Sequence, residues 1–277
     1  MPVTTEDRGT DGRDDVKQRA AQKAHADGYP FVTRTPEVTR RLALLWSPPE
    51  PSTKGRPART TLVEVVSAGL AVVRSEGLEA LSMRKVAREL GVGAMSLYTY
   101  VPGRTELIDL MIDSVHGGLA LPEAGEPWRN ALGQYCREFW ALYDREPWLL
   151  QTNMWRAPLS PHVLDAQEAG LRTLIGTSLT PLQVVQTVGL VDTVLQGLAR
   201  SSIAESVDRD ASGVGQDGYW ESMSSFWEDW FDVDRYPVMT EIYLAGAFDD
   251  EASTFEATLE RLLDVVEMSI DAAAGDG

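Results

Sequence analysis

The chain has 277 residues, 43% of them hydrophobic and 24% charged, which suits about two domains of roughly 150 residues and excludes a mainly disordered or fibrous protein. No stretch approaches about 18 uninterrupted apolar residues, so the sequence predicts no spanning helix and no membrane partner. The polar start MPVTTEDRGTDGRDD lacks the apolar core of an export signal, and a single cysteine, Cys136, cannot close an intrachain disulfide. A reduced, cytoplasmic protein is expected, and three histidines leave little room for a zinc site, so no metal or cofactor is expected either.

The net charge of −17 speaks against nucleic acid until it is divided by position. Residues 1–121 carry 16 Lys+Arg and 15 Asp+Glu, whereas residues 122–277 carry 9 and 27, a net of −18. This asymmetry points to two jobs on one chain, with a polyanion confined to the first half. An acidic surface kept for solubility fits the charge as well.

Residues 1–28 are charged and small, without periodicity, and read as a disordered tail. Thr35-Pro36 opens a short helix that ends at Trp46, before Pro48, Pro49 and Pro51. A basic linker, KGRPART (54–60), follows, and Trp46 reads as an anchor against the domain beyond it. From Thr61, the residues Leu62, Val65, Val66, Leu70 and Val73 keep a 3.6-residue period up to Gly77. Ser82 caps a helix SMRKVAREL with Val86, Ala87 and Leu90 on its apolar face, and Gly91 breaks it. After Gly91-Val92-Gly93 a second short helix runs from Ala94 to about Tyr100. Pro102-Gly103 ends it, and a longer helix begins near Thr105 and reaches Gly117-Gly118.

Downstream, Pro127 opens a helix with a broad stripe of Trp128, Leu132, Tyr135, Cys136, Phe139, Trp140 and Tyr143. Ser160-Pro161 opens another, to about Ile175, and Thr180-Pro181 a long one to about Val207. Residues 208–218 read as a mobile loop, Tyr219–Phe231 and Val238–Leu244 as short helices, and residues 255–270 as a strong amphipathic helix. No segment sustains a period of two, so the fold class is all-α.

Function is concentrated in LSMRKVARELGVGAMSLYTYVPGRTELIDLM (81–111). Two short helices joined by a Gly-containing turn make a helix-turn-helix, whose second helix enters the major groove. Val86, Ala87, Leu90, Val92 and Leu97 close a small core, leaving Arg84, Lys85, Ala94, Met95, Ser96, Tyr98, Thr99, Tyr100 and Arg104 outward or on the rim. Exposed tyrosines beside basic residues suit phosphate and sugar contacts. A plain helical hairpin with half-buried tyrosines is the other reading of the same spacing.

The run GVGAMSLYTYVPGRTELIDLM resembles the signature of the TetR family of transcriptional repressors, and the similarity extends over residues 60–113. A weaker similarity over 128–270 is to the C-terminal domain of the tetracycline-repressor branch. The resemblance implies a dimer on a palindromic double-stranded operator, released by a small-molecule effector. It divides the chain into a largely disordered extension with a short helix near 36–46 (1–56), a DNA-binding domain (57–104) and a ligand-binding and dimerisation domain (105–277). It implies base contacts by Arg84, Ala94, Met95 and Ser96, groove or backbone contacts by Tyr98 and Thr99, and phosphate contacts by Tyr100 and Arg104. Gly93 and Ala94 bring no hydrogen-bonding side chains, so direct readout rests on Arg84, Ser96 and apolar contacts. The linker KGRP (54–57) is similar to the core of AT-hook minor-groove binders, which would put Lys54 and Arg56 on DNA; a solvated linker is the alternative.

Seven of the eight tryptophans lie beyond residue 121, as core or as pocket. The resemblance implies an apolar effector cavity, with His116, Tyr135, Phe139, Thr152, Met154 and Trp155 as its candidate lining. The metal-ligand pattern of tetracycline binding is missing, so a largely apolar or aromatic effector is expected. The helices 181–207 and 255–270, the latter with Leu259, Leu262, Leu263 and Val266, are the candidate dimer interface. No nucleophile–base pair or phosphate loop argues for an enzyme, and a sensor or protein-interaction module without specific DNA binding is the alternative function.

Overall fold

The computed structural model describes residues 15–16, 18–19, 22–23, 35–48, 60–153, 156–247 and 255–275. The chain falls into two units, residues 1–43 and 44–277. In the first unit the described residues between 15 and 23 are helical, with Arg19 paired to Asp15 one turn earlier, where the sequence suggested a structureless tail. Among the described residues the secondary structure is helical throughout.

Helix α1, Pro36–Trp46, starts at Thr35, whose hydroxyl accepts from the Val38 N–H at 3.3 Å. At its other end the Trp46 indole donates to the Leu159 carbonyl at 2.8 Å. Trp46 is thus an anchor, but to the segment ahead of a downstream helix rather than to the DNA-binding elements as expected. Its indole N–H needs a partner, and Leu159 supplies one.

Helix α2, Leu62–Glu76, begins with a capping box in which Thr61 and Glu64 each satisfy the other's backbone N–H. Its Val65, Val66, Leu70, Val72 and Val73 are buried. Ser82 caps α3, Met83–Glu89, by accepting from the Lys85 N–H. The end of α3 is a Schellman motif: Val92 N–H bonds to the Ala87 carbonyl at 3.0 Å and Gly91 N–H to that of Arg88 at 3.1 Å. Gly91 sits at φ +65°, which an L side chain adopts only with strain. Helix α4 spans only Ala94–Leu97, shorter than expected, because the chain tightens to i→i+3 bonds from Thr99 to Ser96 and from Tyr100 to Leu97. Leu97 and Val101 are fully buried beneath it.

Helix α5, Arg104–His116, buries Leu107, Leu110, Met111, Ile112 and Val115. It packs on α2 on one side and on α7, Pro161–Leu174, on the other. Helices α6 (Trp128–Arg145), α7, α8 (Pro181–Ser212) and α12 (Phe255–Gly275) form the bundle behind it. A 3-10 turn, Pro147–Gln151, follows α6 and buries Trp148, Leu149 and Leu150.

Helix α8 continues through the predicted loop to Ser212 and stops only where Gly213 turns left-handed at φ +71°. Its polar last turns cost little once the helix is nucleated, and an Arg209–Glu205 pair supports them. An 18-residue window of α8 has a mean hydropathy of 1.2, enough by length and composition alone to cross a bilayer. Counting uninterrupted apolar runs misses it, because neutral Gln, Thr and Gly break the run while adding little polarity. In the bundle its Val184, Val188, Val191, Leu195 and Ala199 are buried.

The span 219–231 forms two helices rather than one, α9 (Gln216–Ser222) and α10 (Ser224–Asp229), followed by α11 (Pro237–Leu244), which buries no residue. On α12, Leu259, Leu262, Leu263 and Val266 are buried in the chain's own core, so the apolar face assigned to dimerisation is already occupied. Arg129 fans onto Glu260, Asp264 and Glu267, and Arg137 onto Glu256, which fixes α12 against α6.

Gly91→Ala should lower stability by about 1 kcal/mol through its left-handed φ, read as a lower urea midpoint with an unchanged slope.

Candidate nucleic-acid interface and effector site

The capped, glycine-terminated α3 and the short α4 present a compact exposed surface. Arg84, Met95, Ser96, Tyr98 and Thr99 are exposed, Met95 at 78% and Tyr98 at 48%. The Thr99 hydroxyl turns back to the Ser96 carbonyl at 2.6 Å. Ala94 and Tyr100 are half-buried and pack against the core. Lys85 pairs with Glu76 at 2.6 Å. Arg104 points back into the motif, donating from Nε to Leu81 and from Nη2 to Leu78, at 3.0 and 2.8 Å. Two of its donors therefore brace the start of α5. Lys54 and Arg56 lie outside the described residues.

Of the six effector candidates, three converge. His116, Tyr135 and Phe139 are 4%, 2% and 7% exposed. Phe139 lies 4.6 Å from Tyr135, 5.9 Å, edge-on, from His116 and 6.1 Å from Tyr143, measured between ring centroids. Burial lowers the pKa of His116, whose Nδ1 is 2.8 Å from the Ile112 carbonyl. Thr152 is half-buried and closes the 3-10 turn on the Leu149 carbonyl. Met154 and Trp155 lie outside the described residues.

The sequence reading missed Asp192. Its carboxylate accepts from the Tyr135 hydroxyl at 3.1 Å, and burial pushes its pKa up to about 6. Burial and this carboxylate together hold protons on Tyr135, Tyr143 and Cys136, the thiol being pushed up to about 12. A signal was present, since Asp192 is the one charged residue from Pro181 to Ala199. A second site outside the expected list is an open groove of about 950 Å³ between the end of α8 and α9, lined by Glu205, Asp208, Tyr219 and Trp220 among others.

A buried carboxylate joins the two functional regions. Glu146, at the end of α6, accepts from Arg74 of α2 through Nε and Nη2, and from the Trp148 indole at 2.7 Å. Arg200 of α8 donates to the Leu150 carbonyl in the same turn. On the other side Asp113 of α5 holds His162 of α7 through its backbone N–H and its ring, each at 2.9 Å. Among the described residues no three His, Cys, Asp or Glu side chains gather as a metal set.

These features agree with what the chain is similar to. Residues 65–111 match the bacterial regulatory proteins of the tetR family, and residues 121–270 match the tetracyclin repressor-like C-terminal domain. The HTH-type transcriptional repressor DrrR1 of Streptomyces coeruleorubidus is 36% identical over 242 residues, covering 87% of this chain and 89% of that protein. An HTH-type transcriptional regulator of Saccharopolyspora erythraea is 27% identical over 233 residues, 83% of this chain and 92% of its own. Among solved structures, ActR of Streptomyces coelicolor in complex with actinorhodin aligns with a TM-score of 0.64 at 25% identity, over 77% of this chain and 98% of that one. The chain belongs to the TetR family. It is a DNA-binding transcriptional regulator, similar over most of its length to a transcriptional repressor.

Asp192 gives a pH test. Because its folded pKa of about 6 lies above the ordinary 3.8, its contribution is most favourable below pH 3.8 and is lost as pH rises through 6. Asp192→Asn should therefore be more stable than the parent at pH 7.5, by about 2–3 kcal/mol, with the advantage gone near pH 4. Thermal melts across that range measure it. Separately, Arg74→Ala strands the Glu146 carboxylate and should cost about 2 kcal/mol in denaturant unfolding.

Proposed function

We propose that the protein reads a palindromic operator as a symmetric dimer through α3 and α4, and lets go when a largely apolar or aromatic effector enters the bundle. In this reading residues 57–104 are the reader, 105–277 the sensor and dimer, and 1–56 an extension. The observation that carries it is the exposed group Arg84, Met95, Ser96 and Tyr98 on a capped helix-turn-helix. Arg84 and Ser96 supply hydrogen bonds to base edges, and Ala94 and Met95 supply apolar contact with thymine methyl groups. Tyr98 and Thr99 take the backbone; Tyr100 and Arg104 steady the motif from behind and reach phosphate only at its edge. Lys54 and Arg56 add charge toward the adjacent groove.

For the dimer, the free apolar stripe is on α8: Leu182, Val185 and Leu190 are exposed, and Gly189, Thr193 and Gly197 share that side. Val265 and Met268 of α12 are exposed too. Small residues let a symmetry-related helix approach closely, and the isologous bundle sets two reading heads about 34–36 Å apart. The aromatic helices α9–α11, with Trp220, Trp230 and Tyr243 exposed, supply more apolar surface for a second copy to cover. DrrR1 is named a repressor and ActR is seen with actinorhodin, which favours repression relieved by a ligand. Such a protein works in the cytoplasm and performs no catalysis.

Selection of bound fragments from random duplex DNA tests the reading. A palindromic consensus is expected, and Arg84→Ala or Tyr98→Ala should weaken binding to it by about 1–3 kcal/mol with normal helicity. Affinity should fall steeply with salt, as phosphate neutralisation requires. Gly189→Glu should put a charge in the interface and yield monomers in sedimentation, with operator affinity lost alongside. Unchanged affinity in the first two variants would move the reading surface elsewhere.

A further inference from the structure

A side chain at Gly69 of α2 would meet the Met111 sulfur of α5 at 2.9 Å, so these two helices approach closely. Arg104 of α5 adds its bonds to the carbonyls of Leu81 and Leu78, at 3.0 and 2.8 Å. Helices α2 to α5 are thereby held as one piece, which meets the bundle at separate points. Asp113 of α5 holds His162 of α7, and Arg74, toward the C-terminal end of α2, holds Glu146 at the end of α6. Helix α2 packs broadly on α3 and α5 but not on α6. The ion pair is therefore where α2 takes a direction from the bundle.

Glu146 is 4% exposed, and the bundle fixes its carboxylate from the other side. The Trp148 indole donates to it at 2.7 Å, and Trp148, Leu149 and Leu150 of the same 3-10 turn are buried. Arg200 of α8 donates to the Leu150 carbonyl and so ties this turn to the long helix. Onto that preset acceptor Arg74 brings Nε, 3.0 and 3.2 Å from the two carboxylate oxygens, and Nη2, which also donates to Oε1. A planar guanidinium gripped through two nitrogens fixes direction as well as distance, which a single ammonium contact does not. Rotating α2 away would break this grip and leave a charge in the interior.

We propose that the Arg74–Glu146 pair sets which half-site spacing the dimer accepts, with Arg74 and Glu146 as positioning residues for operator specificity. This rests on the operator reading above and adds how the spacing is selected. One extra base pair between half-sites moves the second half-site by about 3.4 Å and turns it by roughly 35° about the duplex axis. A reading head fixed to the bundle at both α2 and α5 cannot follow that displacement without breaking a contact. A head released from Glu146 keeps its α3–α4 surface and swings about the Asp113–His162 contact. Arg74 acts through the position of α2, not through a base.

The test uses labelled duplexes built on the palindrome that selection from random DNA yields for the parent protein, with its own spacing and with one base pair removed or added at the centre. Binding of the full-length protein to each is followed by anisotropy. The parent should prefer its own spacing by about tenfold or more, and Arg74→Ala should reduce that preference to about threefold or less. Glu146→Gln keeps the side-chain shape and strands no charge, so it serves as the second variant and should relax the preference in the same way. Helicity and dimer mass at the assay temperature report that each variant is folded. A pair that only stabilises the fold would weaken binding to all the duplexes alike. That result, or a parent that binds every spacing equally, would overturn the proposal. Failure of the operator reading looks different, since the parent would then enrich no palindrome at all.

Discussion

The Glu146 carboxylate is the interaction on which the rest of the molecule turns. It is buried, so it needs its partners: Arg74 from the second turn-facing end of α2 and the Trp148 indole from the 3-10 turn beside it. Separating the DNA-binding helices from the bundle would leave a charge in the interior with nothing to balance it. The same short turn receives Arg200 from α8, so the reading head, the turn and the long bundle helix meet within a few residues. Across the molecule, α5 is fixed to α7 by the Asp113–His162 contacts. The Arg74–Glu146 pair thus ties α2 to the end of α6, and the Asp113–His162 contacts tie α5 to α7. Regulation of this kind requires a coupling of only about 1–3 kcal/mol.

Charge is distributed to suit those two jobs. The first 121 residues are close to neutral overall, and Arg84 and Arg88 stand exposed on the motif. The strongly acidic remainder, net −18, is unfavourable for phosphate. Part of that acidity is structural, since Glu256, Glu260, Asp264 and Glu267 hold Arg129 and Arg137 and clamp α12 to α6. Glu146 and the part-buried Asp192 set two more of these carboxylates against aromatic side chains, Trp148 and Tyr135. Large apolar side chains are left open at α4, along α8 and on α9–α11, among other places.

The helix-turn-helix was legible because its signals are local. Thr61 with Glu64, Ser82, and Gly91 act on backbone groups within a few residues of themselves, so their spacing is enough to place α2, α3 and the turn. The length of α4 was less legible, since the switch to i→i+3 bonding depends on Leu97 and Val101 being drawn into the core below. The end of α8 was misplaced because Asp, Ser and Gly in 208–218 look like loop residues when the support of the preceding turns is ignored. The buried aromatic cluster was half visible: Tyr135 and Phe139 stand one helical turn apart, and His116 precedes the turn to α6. Its acid was not found, although its isolation in an uncharged stretch was a usable sign.

By itself, the sequence determined an all-α chain, a capped helix-turn-helix with Arg84, Met95, Ser96 and Tyr98 outward, and an acidic helical half with aromatic faces. These follow from periodicity, caps and charge, which act over one or two turns of helix. Only the tertiary structure decided where long side chains end. It turned Arg104 inward to the carbonyls of Leu78 and Leu81, gave Trp46 to Leu159, buried Leu259, Leu262, Leu263 and Val266 within one chain, and brought Asp192 to Tyr135 across 57 residues. Those choices depend on which helix faces meet. No local pattern carries that information.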